Sequence, residues 1–281
     1  MVLCTEMNIG RCDALNDLRI DCHTHSDFSR DGADPITYMC EAAVGKELDI
    51  LTITDHCEIN AYYENLYDLS ILQSYVKTRE AAQIFENQLC VLTGIEIGQP
   101  MEDVKTADEV LRKNAFDFVL ASVHNLPGQE DFYFLEYDAA KVPNLLNSYF
   151  HELLRMIEWG NFDSLAHIDY PLRYISGVHG IPVDLNDYPL LDEVVGLLAK
   201  KDKALEINGS GVRQPIGRTL PGVEAVRRFR ELGGKYITVG SDSHDIKNIF
   251  GGVSEAVKTA SDAGFKHIAV YRGRIPELLE I

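Results

Sequence analysis

Ile20-Asp21-Cys22-His23-Thr24-His25-Ser26-Asp27, reached through the apolar lead-in Asp17-Leu18-Arg19, is the stretch from which the rest of the chain can be read. In a strand, alternate side chains share a face, so His23 and His25 point the same way. Two imidazoles on one face, at a strand end, can grip one metal ion. A single His-x-His pair fits two satisfied polar residues as well, so the reading depends on what the other strands deliver.

Outward from this pair the pattern is strand, loop, helix, repeated. Short β-rich runs recur at Ile50-Leu51-Thr52-Ile53-Thr54, Leu89 to Gly94, Phe116 to Ala121, Phe162 to Ala166, Ala204 to Ile207 and Tyr236 to Gly240, with a weaker last one at His267 to Tyr271. Between them Pro35 to Lys46, Ile71 to Glu86, Leu145 to Trp159, Asp187 to Lys200 and Val223 to Leu232 repeat apolar residues at helical spacing. Pro35 suits a helix start, Asp187 an N-cap, and Gly233-Gly234 a helix stop. Strands alternating with helices predict a parallel sheet. Seven or eight such units predict a closed α/β barrel of the TIM type, which about 250 residues accommodate. The chain has 281 residues, no Ser/Gly-rich linker and no low-complexity tract. The expected organisation is an N-terminal extension over 1–16 followed by one barrel domain over 17–281. The longest interruptions, Glu58 to Ser70, Pro127 to Pro143 and Pro171 to Pro189, are the expected walls of a substrate site.

Composition narrows the function. A formal net charge of -18 repels phosphate backbones, so nucleic acid is not the expected partner. No apolar run approaches the roughly 18 residues of a membrane helix, so no membrane partner is expected. The first residues, with acids and no continuous apolar stretch, do not read as a signal peptide. The six cysteines form no Cys-x-x-Cys, which fits reduced thiols and a cytoplasmic location rather than a disulfide framework or zinc knuckle. Cys22 and Cys57, beside candidate ligands, read as small buried residues. A homodimer is compatible with the sequence, which does not specify it.

In a parallel barrel the chemistry lies at the C-terminal strand ends. The first end presents His23 and His25, the second Asp55 and His56, the third Glu96, the fourth His124, and the fifth His167 with Asp169. The sixth presents Asn208 and the seventh Asp242 and His244. Six of the nine histidines fall in this set, while His151, His179 and His267 lie elsewhere and read as ordinary polar residues. Buried imidazoles and carboxylates converging on one rim need counter-charges, which divalent metals supply. The ligand candidates are His23, His25, Asp31, His56, Glu96, His124, His167, Asp242 and His244. One catalytic zinc takes about three protein ligands, so this set is sufficient for three ions. Nitrogen and hard oxygen donors without thiolate suit zinc, manganese or iron. Three ligand carboxylates against three divalent ions leave the site cationic, which attracts a phosphate dianion.

These motifs resemble the polymerase-and-histidinol-phosphatase (PHP) superfamily of metallophosphoesterases. The matching pieces are Asp21-Cys22-His23-Thr24-His25-Ser26, Ser29-Arg30-Asp31-Gly32, Thr54-Asp55-His56, Gly94-Ile95-Glu96 and Ser122-Val123-His124. Ala166-His167-Ile168-Asp169-Tyr170 and Gly240-Ser241-Asp242-Ser243-His244 complete them, in the family's order from Leu18 to beyond Gly251. Ser122 to Gly128, Arg173 and Glu206 to Arg213 make the chain similar to the monofunctional histidinol-phosphate phosphatase type. The resemblance implies a distorted seven-stranded β/α barrel with a trinuclear metal site. It implies that His23, His25, Glu96 and Asp242 hold one metal, that bridging Glu96 joins His124 and His167 on a second, and that Asp31, His56 and His244 hold a third. Related sequences of this type carry a small polar residue where this chain has Gly209, and Glu58 to Ser70, with Tyr62 and Tyr63, has no clear counterpart.

The implied reaction is hydrolysis of a phosphate monoester, histidinol phosphate in histidine biosynthesis, by a metal-bridging hydroxide. Glu96, Asp242 and His244 are the expected catalytic residues. Arg173, Arg213, Asn208 and Ser210 are the expected substrate-binding residues, the arginines by paired hydrogen bonds to phosphate. Asp55 and Asp169 are expected to orient ligand imidazoles, and Glu58 is a candidate to meet the ammonium and imidazole of histidinol. Alternatives are a relative acting on a nucleotide, phosphotyrosine or nucleic-acid ends, an amidohydrolase, and a non-catalytic metal-binding barrel. An amidohydrolase fits Glu96 and the Ser241 to His244 ending poorly, and an intact ligand set argues against a non-catalytic barrel.

Overall fold

The computed structural model describes residues 19–281; the expected extension over 1–16 lies outside the described residues. Seven parallel strands form the barrel wall: β1 (Ile20–Thr24), β2 (Ile50–Ile53), β4 (Cys90–Gly98), β5 (Phe118–Ser122), β6 (Ser164–Leu165), β7 (Ala204–Asn208) and β8 (Ile237–Gly240). A short strand, β3 (His56–Glu58), also pairs with β4. These strands are buried on both faces except at β3, so they read as apolar runs rather than alternating ones. The wall closes where the chain leaving β8 meets β1: His25 N donates to Ser243 O (2.8 Å) and Asp242 N to His23 O (2.8 Å).

The second strand is broken. Ile53 lies opposite Thr93 of β4 and His56 opposite Glu96, the same register on either side of the break. Between them, buried Asp55 accepts from Ser26 N (2.6 Å) and from the hydroxyls of Ser26, Ser29 and Ser74 (2.7, 2.7 and 2.5 Å). These four bonds stabilise a carboxylate that would be costly to bury alone, and the interruption leaves His56 in register with Glu96.

Helices cover the outside: α1 (Ile36–Gly45), α2 (Tyr67–Ile84), α3 (Val104–Lys113), α4 (Val142–Trp159), α5 (Leu172–Ile175), α6 (Pro189–Lys200), α7 (Val223–Glu231) and α8 (Val253–Asp262). α4 shows why they form. Leu146, Tyr149, Phe150, Leu153, Met156 and Ile157 recur at helical spacing and are buried. Gly160, at φ 69°, ends the helix by donating its N–H to Met156 O. α3 and α8 are not among the helices expected from the sequence; Asp103 caps α3 by accepting from Thr106 N (3.1 Å). At α6 the expected cap differs: Asp187 falls in the preceding short turn, Tyr188 is the cap residue, and Pro189 opens the helix.

The weak last strand does not enter the barrel. β9 (His267–Arg272) pairs antiparallel with β10 (Ile275–Glu280). Their turn docks where β5 and β6 begin: Arg274 N donates to Asp117 O (2.8 Å), Gly273 N to Asp117 Oδ1 (3.0 Å) and Arg274 Nε to Asp163 Oδ1 (3.0 Å). The hairpin thus belongs to the end of the barrel opposite the histidines. The main apolar core, with Ile95, Val119, Leu165, Leu205 and Ile237, fills the space between strands and helices. A smaller cluster of Met39, Cys40, Leu51, Ile53 and Leu89 packs α1 on β2.

Candidate active site

Each barrel strand delivers its last side chains to one rim, and Glu96 stands at its centre, fully buried on β4. His23 Nε2 and His25 Nε2, from β1 and the residue after it, lie 3.3 and 3.4 Å from Glu96 Oε2. The same two nitrogens are 3.7 and 3.5 Å from Asp242 Oδ1. On the other side, His124 Nε2 and His167 Nε2 each approach Glu96 Oε1 to 3.2 Å. At the mouth, Asp31 lies 3.7 Å from His56 Nε2 and 3.2 Å from His244 Nε2. All nine expected ligand residues therefore gather at one rim.

The donor set fits metal ions better than protons. His23 Nε2 and His25 Nε2 face each other at 2.9 Å, and His56 Nε2 and His244 Nε2 at 3.4 Å. Facing ring nitrogens make a hydrogen bond only when one of the two carries a proton, whereas a shared cation accepts lone pairs from both. His56 Nδ1 lies 2.9 Å from Glu96 Oε2 without the alignment of a hydrogen bond. Among the described residues, three groups each bring three ligand atoms within 4.8 Å of one another: His23/His25/Asp242, His25/His56/His244 and His56/Glu96/His124. This is a divalent-metal site by the chemistry of its donors.

The electrostatics follow the same pattern. Burial alone would raise the Glu96 carboxyl, but the imidazoles of His56, His23 and His124 hold it well below the usual carboxylate range. Burial likewise opposes ionisation of Asp242, and His23, His25 and Arg173 outweigh it. Burial would depress His124, yet Glu58 and Glu96 lift it to about 10. His25 moves the other way, pushed well below its usual value by burial and by the imidazoles of His244 and His56.

Several side chains around the ligands were legible only in part. Glu206 Oε1 lies 2.6 Å from His23 Nδ1, and its other carboxylate oxygen accepts from His167 N (3.0 Å). Glu58 Oε1 lies 3.0 Å from His124 Nδ1 and 3.4 Å from His56 Nδ1. It is thereby committed to two imidazoles, not held free for a substrate ammonium. Of the two carboxylates expected to orient imidazoles, Asp55 reaches one indirectly and Asp169 hydrogen-bonds none. Asp55 acts through Ser29, whose hydroxyl lies 3.1 Å from His25 Nδ1, and Asp169 accepts from Arg218 Nη1 (2.8 Å).

The expected substrate-binding residues divide. Arg173 Nη2 donates to Asp242 Oδ2 (3.0 Å) and Ser210 Oγ (2.8 Å), with the guanidinium over the Tyr170 ring at 5.0 Å. Asn208 Oδ1 accepts from Ser210 N and Oγ (2.9 and 2.6 Å), and Asn208 Nδ2 donates to Asp242 Oδ2 (3.3 Å). Arg213 instead donates to the carbonyls of Gly251 and Ser241, tying the β7 loop to the chain after β8. Gly209 has a steric reason: a Cβ there would sit 2.6 Å from the Gly252 carbonyl carbon, so no side chain fits where related sequences are expected to have one.

Comparison with known proteins agrees with this geometry. Residues 21–210 match the PHP domain. The chain is 30% identical over 251 residues to a probable histidinol-phosphatase of Clostridium acetobutylicum, covering 88% of this chain and 95% of that protein. It is 27% identical over 259 residues to a histidinol-phosphatase of Lactococcus lactis subsp. lactis, covering 91% and 95%. The crystal structure of histidinol phosphate phosphatase from Lactococcus lactis subsp. lactis, complexed with zinc, L-histidinol and phosphate, superposes with a TM-score of 0.78 at 25% identity, covering 92% of this chain and 98% of that one. Among the described residues no helix is long and apolar enough to cross a membrane. With the matched segment spanning the rim residues from His23 to Ser210, the chain belongs to the PHP domain family.

Proposed function

We propose that this protein is a metal-dependent phosphomonoesterase that hydrolyses histidinol phosphate to histidinol and phosphate, and that it does so in the cytoplasm as a single barrel unit per chain. The observation that carries the reading is the convergence of nine candidate ligand side chains on one rim beside a half-buried arginine. The names of the relatives support the substrate, and the acidic chain supports a small phosphomonoester over nucleic acid.

Three divalent ions, zinc, manganese or iron, are assigned to His23/His25/Glu96/Asp242, to Glu96/His124/His167 and to Asp31/His56/His244. When bound, such ions polarise phosphate oxygens and lower the pKa of water. Glu96 is shared between two of the sets, because its two oxygens face different pairs of imidazoles. Asp242 is divided between ligation and Arg173: Oδ1 faces His23 and His25 while Oδ2 accepts from the guanidinium. Arg173 binds phosphate oxygens and keeps its charge beside them. Asn208 and Ser210 hold Asp242 Oδ2 and the guanidinium in register. Asp31 and His244, the more exposed ligands, stand where a substrate enters.

A substrate panel tests this. Protein loaded with manganese or zinc is expected to release phosphate from histidinol phosphate far faster than from an aryl phosphate, a nucleotide or phosphotyrosine. Comparable rates across the panel would assign a different phosphomonoester.

A further inference from the structure

The loops that leave β6 and β7 are joined by a buried charge. Tyr170 N donates to His167 O (2.8 Å), Leu172 N to Asp169 O (2.9 Å) and Arg173 N to Tyr170 O (3.1 Å), so His167 to Arg173 is one continuous hydrogen-bonded turn. A shift of Asp169 therefore carries His167 and Arg173 with it. The Asp169 carboxylate, in the middle of that turn, is 1% exposed. Its Oδ2 accepts from Arg218 Nη1 (2.8 Å), and among the described residues its buried Oδ1 has no hydrogen-bond partner. A carboxylate buried on one ion pair is a poor source of stability, because desolvation offsets the attraction. The best-attested use of such a pair is to fix the register of two elements.

Arg218 is itself held in place. The same Nη1 donates to Thr219 O (2.7 Å), and the Thr219 hydroxyl donates to Pro221 O (2.8 Å). Beside them Leu220 and Asn208 exchange both backbone bonds, Leu220 N to Asn208 O (3.0 Å) and Asn208 N to Leu220 O (2.8 Å). Asn208 Oδ1 in turn accepts from Ser210 N and Oγ. A Cβ on Gly211 would lie 2.2 Å from Arg218 O, so the segment bearing Arg218 packs directly on the turn bearing Ser210. Arg218 is thus anchored to the strand end that carries Ser210, and Asp169 to the turn that carries Arg173. Arg173 Nη2 and Ser210 Oγ meet at 2.8 Å, and both donate to Asp242 Oδ2.

We propose that Arg218 is a positioning residue: by clasping Asp169 it sets the β6 loop against the β7 loop, so that Arg173 meets Ser210 and Asp242 in the geometry that binds phosphate, a role that rests on the proposed phosphatase activity.

Calorimetric binding of inorganic phosphate to the metal-loaded full chain tests the clasp. Arg218→Gln and Asp169→Asn are each expected to weaken phosphate binding by about tenfold. The double variant is expected to lose no more than either single one, because all three remove the same contact. Arg218→Lys keeps a cation opposite Asp169 and is expected to bind phosphate more tightly than Arg218→Gln. Arg228→Gln, which breaks an exposed pair with Asp192 (2.7 Å), is expected to bind phosphate as the wild type does. An Arg218→Gln variant with lowered Tm and wild-type phosphate affinity overturns the proposal, since the pair would then be structural only. So does a double variant whose loss is the product of the two single losses. Should Asp169→Asn fold poorly, the comparison of Arg218→Gln with Arg218→Lys decides, and equal affinities overturn the clasp. Turnover is measured in parallel: a wild type that binds phosphate without hydrolysing histidinol phosphate overturns the proposed substrate and not the clasp.

Discussion

Glu206 Oε1 lies 2.6 Å from His23 Nδ1, joining side chains 183 residues apart that are both fully buried. This contact turns His23 Nε2 toward His25, Glu96 and Asp242. Because the other Glu206 oxygen accepts from His167 N, one carboxylate positions two ligands. Glu206→Gln keeps the shape and removes the charge. Metal affinity is expected to fall about 10–100-fold, read by competitive metal titration, with the circular dichroism unchanged. Wild-type affinity would mean that the barrel orients His23 unaided.

Arg173 is the side chain on which phosphate recognition is staked. Lysine has one ammonium where arginine has a planar fork, so Arg173→Lys does not substitute for it. KM for histidinol phosphate and the inhibition constant of inorganic phosphate are both expected to rise by at least about tenfold. Ser210→Ala, which removes one partner of the guanidinium, is expected to have a smaller effect in the same direction. If phosphate inhibition is unmoved in Arg173→Lys, the arginine serves only Asp242.

Metal uptake is expected to release protons. Metals bind the neutral imidazole, while burial-opposed pairing with Glu58 and Glu96 lifts His124 to about 10. Protons therefore compete for that ring throughout the neutral range, and metal affinity is expected to climb with pH toward about 10. In the ion-free protein the sign for stability is opposite. The raised His124 stabilises most below its usual value of 6.5, and that contribution fades as pH rises through about 10. Chelation is expected to abolish turnover and lower Tm, with manganese or zinc restoring both. Calorimetry in two buffers of different ionisation enthalpy counts the protons; a buffer-independent heat would refute the competition.

Two glycines make a matched pair for stability. A Cβ on Gly240 would lie 2.2 Å from His23 Cβ and 2.8 Å from His23 N, at the closure of β8 onto β1. Gly240→Ala is expected to cost about 1–3 kcal/mol as overpacking and to reduce turnover by displacing His23. At Gly45, near the end of α1, a Cβ meets nothing within 4 Å. Gly45→Ala is expected to stabilise by roughly 0.5–1 kcal/mol. Thermal unfolding of the two variants decides both; equal Tm values would contradict the closure argument.

Much of this protein is written along its chain. His23, His56, Glu96, His124, His167 and Asp242 follow apolar β-rich runs, and a parallel barrel carries such positions to one rim, so their gathering there was legible from order and spacing. α3 and α8 were not among the expected helices although each is amphipathic, because each is only ten residues long and mostly polar, with few large apolar side chains to stand out. The hairpin β9–β10 was not either, since antiparallel pairing below the barrel leaves no mark that separates it from an eighth parallel strand. What only the tertiary structure decided is which charge each ligand answers to. Glu206 serves His23 rather than a substrate, Glu58 serves His124 and His56, Asp55 reaches His25 through Ser29, and Arg213 spends its donors on carbonyls while Arg173 faces Asp242. Ligand type and strand order are properties of the chain. Hydrogen-bond partners are set by contacts within about 3 Å between residues far apart in sequence, and those exist only once the barrel has closed.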